Sequence, residues 1–373
     1  MIACTICARN YLAHARVLAT SFRGHHPGAR FVALILDDTE LTVGSSEPFE
    51  VVRPPDVLPS DELARMLTSY GLVEFATAVK PALLMHLLET DDVVAYFAQL
   101  NDLFSRAAES GVVLTPHATE PLPTSGHSTG TEDVVLDGGV FNLGFIAVGQ
   151  RALAALDWWD SKLRRQCVID PGRSRFVDQR WIDLFPGYFQ PYISRDPGLN
   201  VAWWNLPTRT LHPEGAAITV DDRPLRFFHF SGYRPEQPWM LSTHQGRLPR
   251  VLLSERPEVK ALTDAYRAAL LEHDYEQVRD IPYGLDTTAG SLFVDSRMRL
   301  LYRRALASAE RAGRPEPPRL YDQPDENFLE WLSTPDEPAD GPWAVGRYLH
   351  EVWRSDAQLQ LQFPDPHRDD AQA

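Results

Sequence analysis

Three cysteines in 373 residues leave no material for a disulfide framework. Cys4 and Cys7 form a C-x-x-C, but Cys167 is the remaining thiol, so no second pair completes a zinc site. Placed in a strand, the two thiols point to opposite faces, and both read as small core residues of a cytoplasmic protein. No stretch reaches the ~18 uninterrupted apolar residues of a membrane span. The opening residues, Met-Ile-Ala-Cys-Thr-Ile-Cys-Ala, lack a basic leader and a long apolar run, and read as a first strand rather than a signal peptide. Positive charge is also scarce, with 36 Lys and Arg against 51 Asp and Glu and a net charge of −15. Long nucleic acids demand clustered Lys and Arg, so they are excluded as partners. A nucleotide-sized anion needs only a few local donors and stays open.

What is present is a hydrophobic content of 44%, ample for a core, in a chain long enough for a large domain with an appendage. Residues 2–8 read as a strand. Residues 11–25 read as a helix with Tyr11, Ala15, Leu18, Ala19 and Phe22 on one stripe, and 31–36 as a second, fully apolar strand. Strand, helix, strand in this rhythm predicts a mostly parallel sheet with helices packed on it, an α/β sandwich of Rossmann type. Ligands gather beyond the carboxyl ends of such strands, which points at Ala8, Arg9, Asn10 and Tyr11. Asp37 and Asp38 follow the second strand and read as a solvated turn.

Further strands are expected at 49–53, 93–97 and 112–116, and a polar loop at 121–133. Lys80 stands at the turn before an apolar helix, where it either meets a phosphate or is solvated. Asn142, in a strand with glycines beside it, offers a donor and an acceptor suited to sugar hydroxyls; a satisfied amide in a bent strand is the other reading. Residues 151–165 predict a helix packing Leu153, Leu156, Trp159 and Leu163 inward. Another is expected at 176–184, with Asp178 and Gln179 near its N-terminus, where the dipole favours an anion. Trp203 and Trp204, beside amides, suit either sugar stacking or core. From about residue 251 the chain turns to helices separated by Pro-rich and acidic linkers, so the expected division is 1–250 and a helical extension, 251–373.

The centre of the chain is Leu225-Arg226-Phe227-Phe228-His229-Phe230-Ser231-Gly232, which alternates like a buried strand and breaks at Ser-Gly. An imidazole at a strand end before a glycine suits a phosphate or metal site; a hydrogen-bonded core histidine is the other reading. With Pro238-Trp239 downstream, this stretch resembles the His-Phe-x-Gly-x-x-Lys-Pro-Trp signature of glycosyltransferase family 8 and its bacterial relatives, and the likeness extends over roughly residues 1–250. Glu236 and Gln237 stand where the signature has Lys. The resemblance implies a GT-A domain that transfers a sugar from a nucleoside-diphosphate donor to an acceptor hydroxyl or amine, the acceptor being unknown. It further implies Mn²⁺ or Mg²⁺ with His229 as a ligand, and donor contacts from Ala8, Asn10, Tyr11, Lys80, Asn142 and Gly232. Asp178 and Gln179 would lie near the reacting sugar carbon, with Arg180 in place of the family's second Asp. The family's metal-binding Asp-x-Asp is missing, as though excised between Phe97 and Ala98. That gap opens two rivals: a catalytically impaired relative that binds a nucleotide sugar or a protein partner without transfer, and a metal-independent transferase that uses Arg9 and Arg234.

Overall fold

The computed structural model describes residues 1–91, 93–96, 101–123, 132–215, 217–335 and 344–367. Phe97 and Ala98, most of the polar loop at 121–133, the linker at 336–338 and the last six residues lie outside that range.

The chain forms two compact units, one from residues 1–57 and 76–283 and the other from 58–75 and 284–373. A cut at residue 250 therefore falls inside the first unit. The helix Pro257–Glu272 belongs there because Leu270, with Tyr275 and Val278 just beyond it, joins the same core as Ala13, Ala15 and Phe22.

The first unit is built on a seven-stranded sheet. Its members include β1 (Ile2–Cys7), β2 (Arg30–Ile35), β3 (Glu50–Val52), β4 (Val93–Tyr96), β5 (Val112–Pro116) and β6 (Phe141–Gly149). The order is β3-β2-β1-β4-β6-β5, followed by the short strand Tyr192–Ile193. The first four strands run parallel, and β6 is antiparallel to both its neighbours. This is the mixed, mostly parallel α/β architecture expected from the sequence. Apart from Thr5 and the exposed leading Arg30, strands β1 and β2 are apolar, because helices cover parallel sheets on both faces. Helix α1 (Leu12–His25) buries Ala15, Ala19 and Phe22 as its periodicity predicts. Tyr11 precedes it in a 3-10 turn and is 52% exposed, off the predicted stripe.

The chain leaves β1 for β2 and β3 on one side, then returns to place β4 on the other side of β1. That reversal makes the β1/β4 junction a switch point, the position where an open α/β sheet leaves a crevice. Antiparallel β6 pairs Ile146 with Tyr96, so the residues just before Ile146 lie at the carboxyl end of β4.

Several local expectations are corrected. Leu225–Phe230 is extended but not a strand of a sheet; its backbone pairs through one isolated bridge, Phe228 to Val201. Alternation survives, with Phe227 in the main core and Phe228 packed on a second cluster around Trp203 and Trp204. The tryptophans are thus core. Residues 176–184 hold only a four-residue helix, Gln179–Ile182, because Val177 takes a positive φ of 41° and breaks the run. Leu153 and Leu184 are exposed. Asp37 and Asp38 are buried rather than solvated: Asp38 accepts from Arg53 Nη2 at 2.7 Å and from the Thr42 N–H at 2.8 Å, and Asp37 accepts from the Arg9 N–H at 2.8 Å.

The second unit packs Leu301, Tyr302, Leu306, Leu320, Phe328 and Leu332 into its own core. Arg299 in its helix Ser296–Ala312 donates to the carbonyls of Leu67 and Tyr70, both at 2.5 Å, which ties the segment 58–75 to the C-terminal helices.

Candidate functional site

A cavity of about 1210 Å³ opens at the switch point in the first unit. Cys7 and Tyr11 reach it from the end of β1, Gly144 from β6, and His229 and Gly232 from the extended stretch. The tip of the first strand and the imidazole at 229 therefore meet in one pocket.

The ring of His229 is positioned by packing. A Cβ on Gly144 would lie 2.2 Å from His229 Cε1, so only glycine at that point of β6 leaves room for the imidazole. Trp204 closes the other side edge-on, with ring centroids 5.1 Å apart.

Its protonation is set by a buried amide relay that begins at one backbone N–H. Gly144 N donates to Asn142 Oδ1 at 3.0 Å, which identifies that atom as the oxygen. Asn200 Nδ2 donates to the same Oδ1 at 3.0 Å and to Thr115 Oγ1 at 3.1 Å. Asn200 must then turn Oδ1 to His229 Nδ1, 3.1 Å away. The proton of His229 accordingly sits on Nδ1, and Nε2 carries a lone pair. Asn142 Nδ2 likewise faces His117 Nε2 at 3.1 Å and makes that atom the acceptor. Burial pulls His229 down to about 4, with the neighbouring charges of His117, His244 and Lys80 acting in the same direction. Burial also pulls His117 down to about 4. Both rings are neutral at pH 7.

Asp178, Gln179 and Lys80 form a second buried group beneath β6. Lys80 Nζ donates to Asp178 Oδ2 at 2.6 Å and to the Leu143 carbonyl at 3.3 Å. Gln179 accepts from the Leu143 N–H at 3.0 Å and donates to the Gly138 carbonyl at 2.7 Å. Burial drives the Asp178 carboxyl upward against the opposing pull of Lys80. These three side chains bracket Leu143 and do not line the cavity. Neither does Asn142, whose amide is spent in the relay. Ala8 is buried behind the 3-10 turn, while Asn10 Oδ1 is buried with no partner among the described residues. Asp102 pairs with Arg226, whose side chain reaches the cavity wall.

Reasoning from sequence missed His244. Gly232 has φ +71°, and a Cβ there would lie 2.6 Å from His244 Cδ2 and 2.6 Å from Ser242 Oγ. Thr243 N donates back to the Gly232 carbonyl at 2.9 Å, closing the loop and bringing His244 over the glycine. The signal for it was the Ser-Thr-His run at 242–244, a capping turn in which Ser242 accepts from the His244 N–H.

The divalent ion implied by the resemblance requires oxygen ligands. Among the described residues no three His, Cys, Asp or Glu side chains gather at one point. Among the described residues the cavity wall has one carboxylate, Glu272. His229 supplies a single lone pair, so the described residues do not fit a hard cation. The thiol of Cys7, pushed up to about 12 chiefly by burial, adds no anionic ligand.

No protein-family model matches the sequence. The chain is similar to the uncharacterized protein YfnD of Bacillus subtilis strain 168, with 24% identity over 246 residues, 61% of this chain and 76% of that protein. It is also similar to the uncharacterized protein YfnF of the same strain, 33% identical over 100 residues, which are 26% of this chain and 33% of that one. Among solved structures it is similar to the galactosyltransferase LgtC in complex with donor and acceptor sugar analogues, with 15% identity and a TM-score of 0.36, over 54% of this chain and 76% of LgtC. An active-site mutant of LgtC gives 16% identity and a TM-score of 0.40, over 72% of this chain and 100% of that one. The glycosyltransferase GlyE of Streptococcus pneumoniae TIGR4 gives 12% and 0.39, over 77% of this chain and 66% of GlyE.

Proposed function

We propose that the chain is a glycosyltransferase that binds a nucleoside-diphosphate sugar in the cavity at the β1/β4 switch point and transfers the sugar to an acceptor hydroxyl or amine. The observation that carries this reading is the convergence of Tyr11, Gly144, His229 and Gly232 on one cavity at the carboxyl ends of parallel strands. Small-molecule pockets run to about 300–1,000 Å³, and a cavity of about 1210 Å³ has room for a donor together with part of an acceptor. Tyr11, exposed at the rim, offers a face for a nucleobase. Asn10, next to it in the chain, does not line the cavity, and its Oδ1 is buried. With its lone pair on Nε2, His229 takes a hydrogen bond from a ribose or sugar hydroxyl. In this reading Asp178, Gln179 and Lys80 hold β6 in place from below.

The test is calorimetric titration with a panel of nucleotide sugars, each with and without Mn²⁺, and a parallel assay of donor turnover. Binding of one donor with turnover supports the proposal. Failure of every donor to bind sinks it, and binding without turnover supports the impaired relative.

A further inference from the structure

A donor seated against Tyr11, Gly144 and His229 fills one end of the cavity, and the cavity continues past it. Its wall follows α1 and the turn before it through Tyr11, Ala15, Leu18, Ser21 and His25. At about 1.5 Å per residue, that is roughly 21 Å of helix. The helix Pro257–Glu272 runs alongside in the same direction, with the Tyr266 ring 6.4 Å from that of His14 and His273 Nε2 3.4 Å from Thr20 Oγ1. It adds Leu262, Ala265 and Ala269 to the same wall. The result is a groove bounded by two neighbouring helices, so its occupant is narrow and extended.

Along the middle of this groove the described residues present no charge. Arg16 turns away to Glu47 and Asp274. Burial pulls His14 down to about 4, so its ring is neutral at pH 7. His25, Glu272 and His273 stand at the far ends of the two helices. What faces the cavity between the ends is aliphatic and mostly small, with Ala15, Val17 and Leu18 on one helix and Ala265 and Ala269 on the other. Such a wall has no hydrogen-bond partner to give, and a phosphate, sugar ring or peptide laid along it would lose its hydration without return. A hydrocarbon chain gains from the same wall, because each methylene taken out of water favours binding about fourfold. The Phe230–Tyr266 stack, with ring centroids 3.9 Å apart, joins this stretch to the His229 end, so a chain in the groove and a group at His229 can belong to one molecule.

We propose that the groove along α1 holds the hydrocarbon chain of an amphipathic acceptor whose hydroxyl or amine stands at the His229 end of the cavity. The inference rests on the donor reading above and adds the chemical class of the acceptor.

The experiment titrates the full chain calorimetrically with hexyl, octyl, decyl and dodecyl β-glucosides, each below its micelle concentration, and separately with the panel of nucleotide sugars. A parallel series carries branched prenyl chains. The expected result is saturable one-to-one binding that tightens about tenfold for each pair of methylenes added. Saturation by either series supports the groove, and the tighter one names the tail. Ala269→Trp and, at a more exposed position, Ala265→Trp fill the groove: each should weaken dodecyl glucoside about tenfold or more and leave the hexyl compound, the circular dichroism and any nucleotide-sugar affinity as in the parent. Affinity that ignores chain length, uptake that does not saturate, or a gain that both tryptophans leave intact overturns the inference. A flat series in a chain that binds a nucleotide sugar removes the groove and keeps the donor reading. A rising series in a chain that binds no nucleotide sugar does the reverse, and silence from both probes removes both.

Discussion

The imidazole of His229 fills the space that a side chain at Gly144 would occupy, with Cε1 2.2 Å from where that Cβ would stand. A glycine in the middle of a strand and a histidine 85 residues later are thus one structural unit, and the first prediction follows from their contact.

Gly144→Ala drives the ring out of its slot. Nucleoside-diphosphate-sugar affinity measured by calorimetry should fall about tenfold or more, while the overpacked strand costs roughly 1–3 kcal/mol of stability in urea unfolding. An unchanged affinity would separate the ring from the ligand.

The relay through Asn142 and Asn200 is tested by the proton it places. In nitrogen-edited NMR of the histidine-labelled chain at neutral pH, His229 should appear as the neutral ring with its proton on Nδ1, its resonances assigned by their loss in His229→Gln. Asn200→Leu removes the acceptor and should shift that tautomer. A proton on Nε2 in the parent chain contradicts the relay.

Acid lability has a sign fixed by the same rings. His117 and His229 sit at about 4 in the folded chain against an ordinary value of 6.5, so the unfolded chain binds more protons between those pH values. The stability they contribute is fully present above about pH 6.5 and is lost as pH falls toward 4, by roughly 1.4 kcal/mol per pH unit for each ring. Urea midpoints from pH 7.5 to 4 measure it, and His117→Gln should flatten the slope in that window.

Lys80 and Asp178 are a buried pair at 2.6 Å, and removing one partner strands the other charge. Lys80→Met or Asp178→Leu alone should cost roughly 3–5 kcal/mol, and the double variant much less than the sum. Additive losses in a double-mutant cycle would show that the two do not act together.

In the second unit Arg299 gives both Leu67 and Tyr70 their carbonyl partner. Arg299→Met removes both of these buried charge-assisted hydrogen bonds and should cost roughly 3 kcal/mol or more. Hydrogen exchange should report the loss in 58–75 and in the C-terminal helices, before it reaches β1 or β2.

The parallel half of the sheet was legible because β1, α1 and β2 each obey one periodicity, and covered strands have little that is polar to confuse it. The crevice beyond β1 followed from that topology. His229 and Gly232 stood out as polar and flexible residues closing an aromatic run. Asn142 stood out too, with the satisfied amide as one of its two readings, but the roles of Gly144, Asn200 and His244 did not, because they are distant in sequence and arise only from packing. Lys80 illustrates the limit well: a cation before an apolar helix reads as a phosphate contact or a solvated charge, and its carboxylate partner lies 98 residues away. Asp37 and Asp38 misled for the same reason, since the groups that satisfy them come from Arg9, Thr42 and Arg53.

The segment 58–75 is read out more than 200 residues before the stretch 284–373 with which it shares a compact unit. Its anchoring carbonyls at Leu67 and Tyr70 stay without Arg299 until synthesis has passed that residue. A product halted at Tyr283 would hold the whole sheet and cavity yet expose the apolar face of an orphaned helix, a sticky patch that chaperones or proteases would find first.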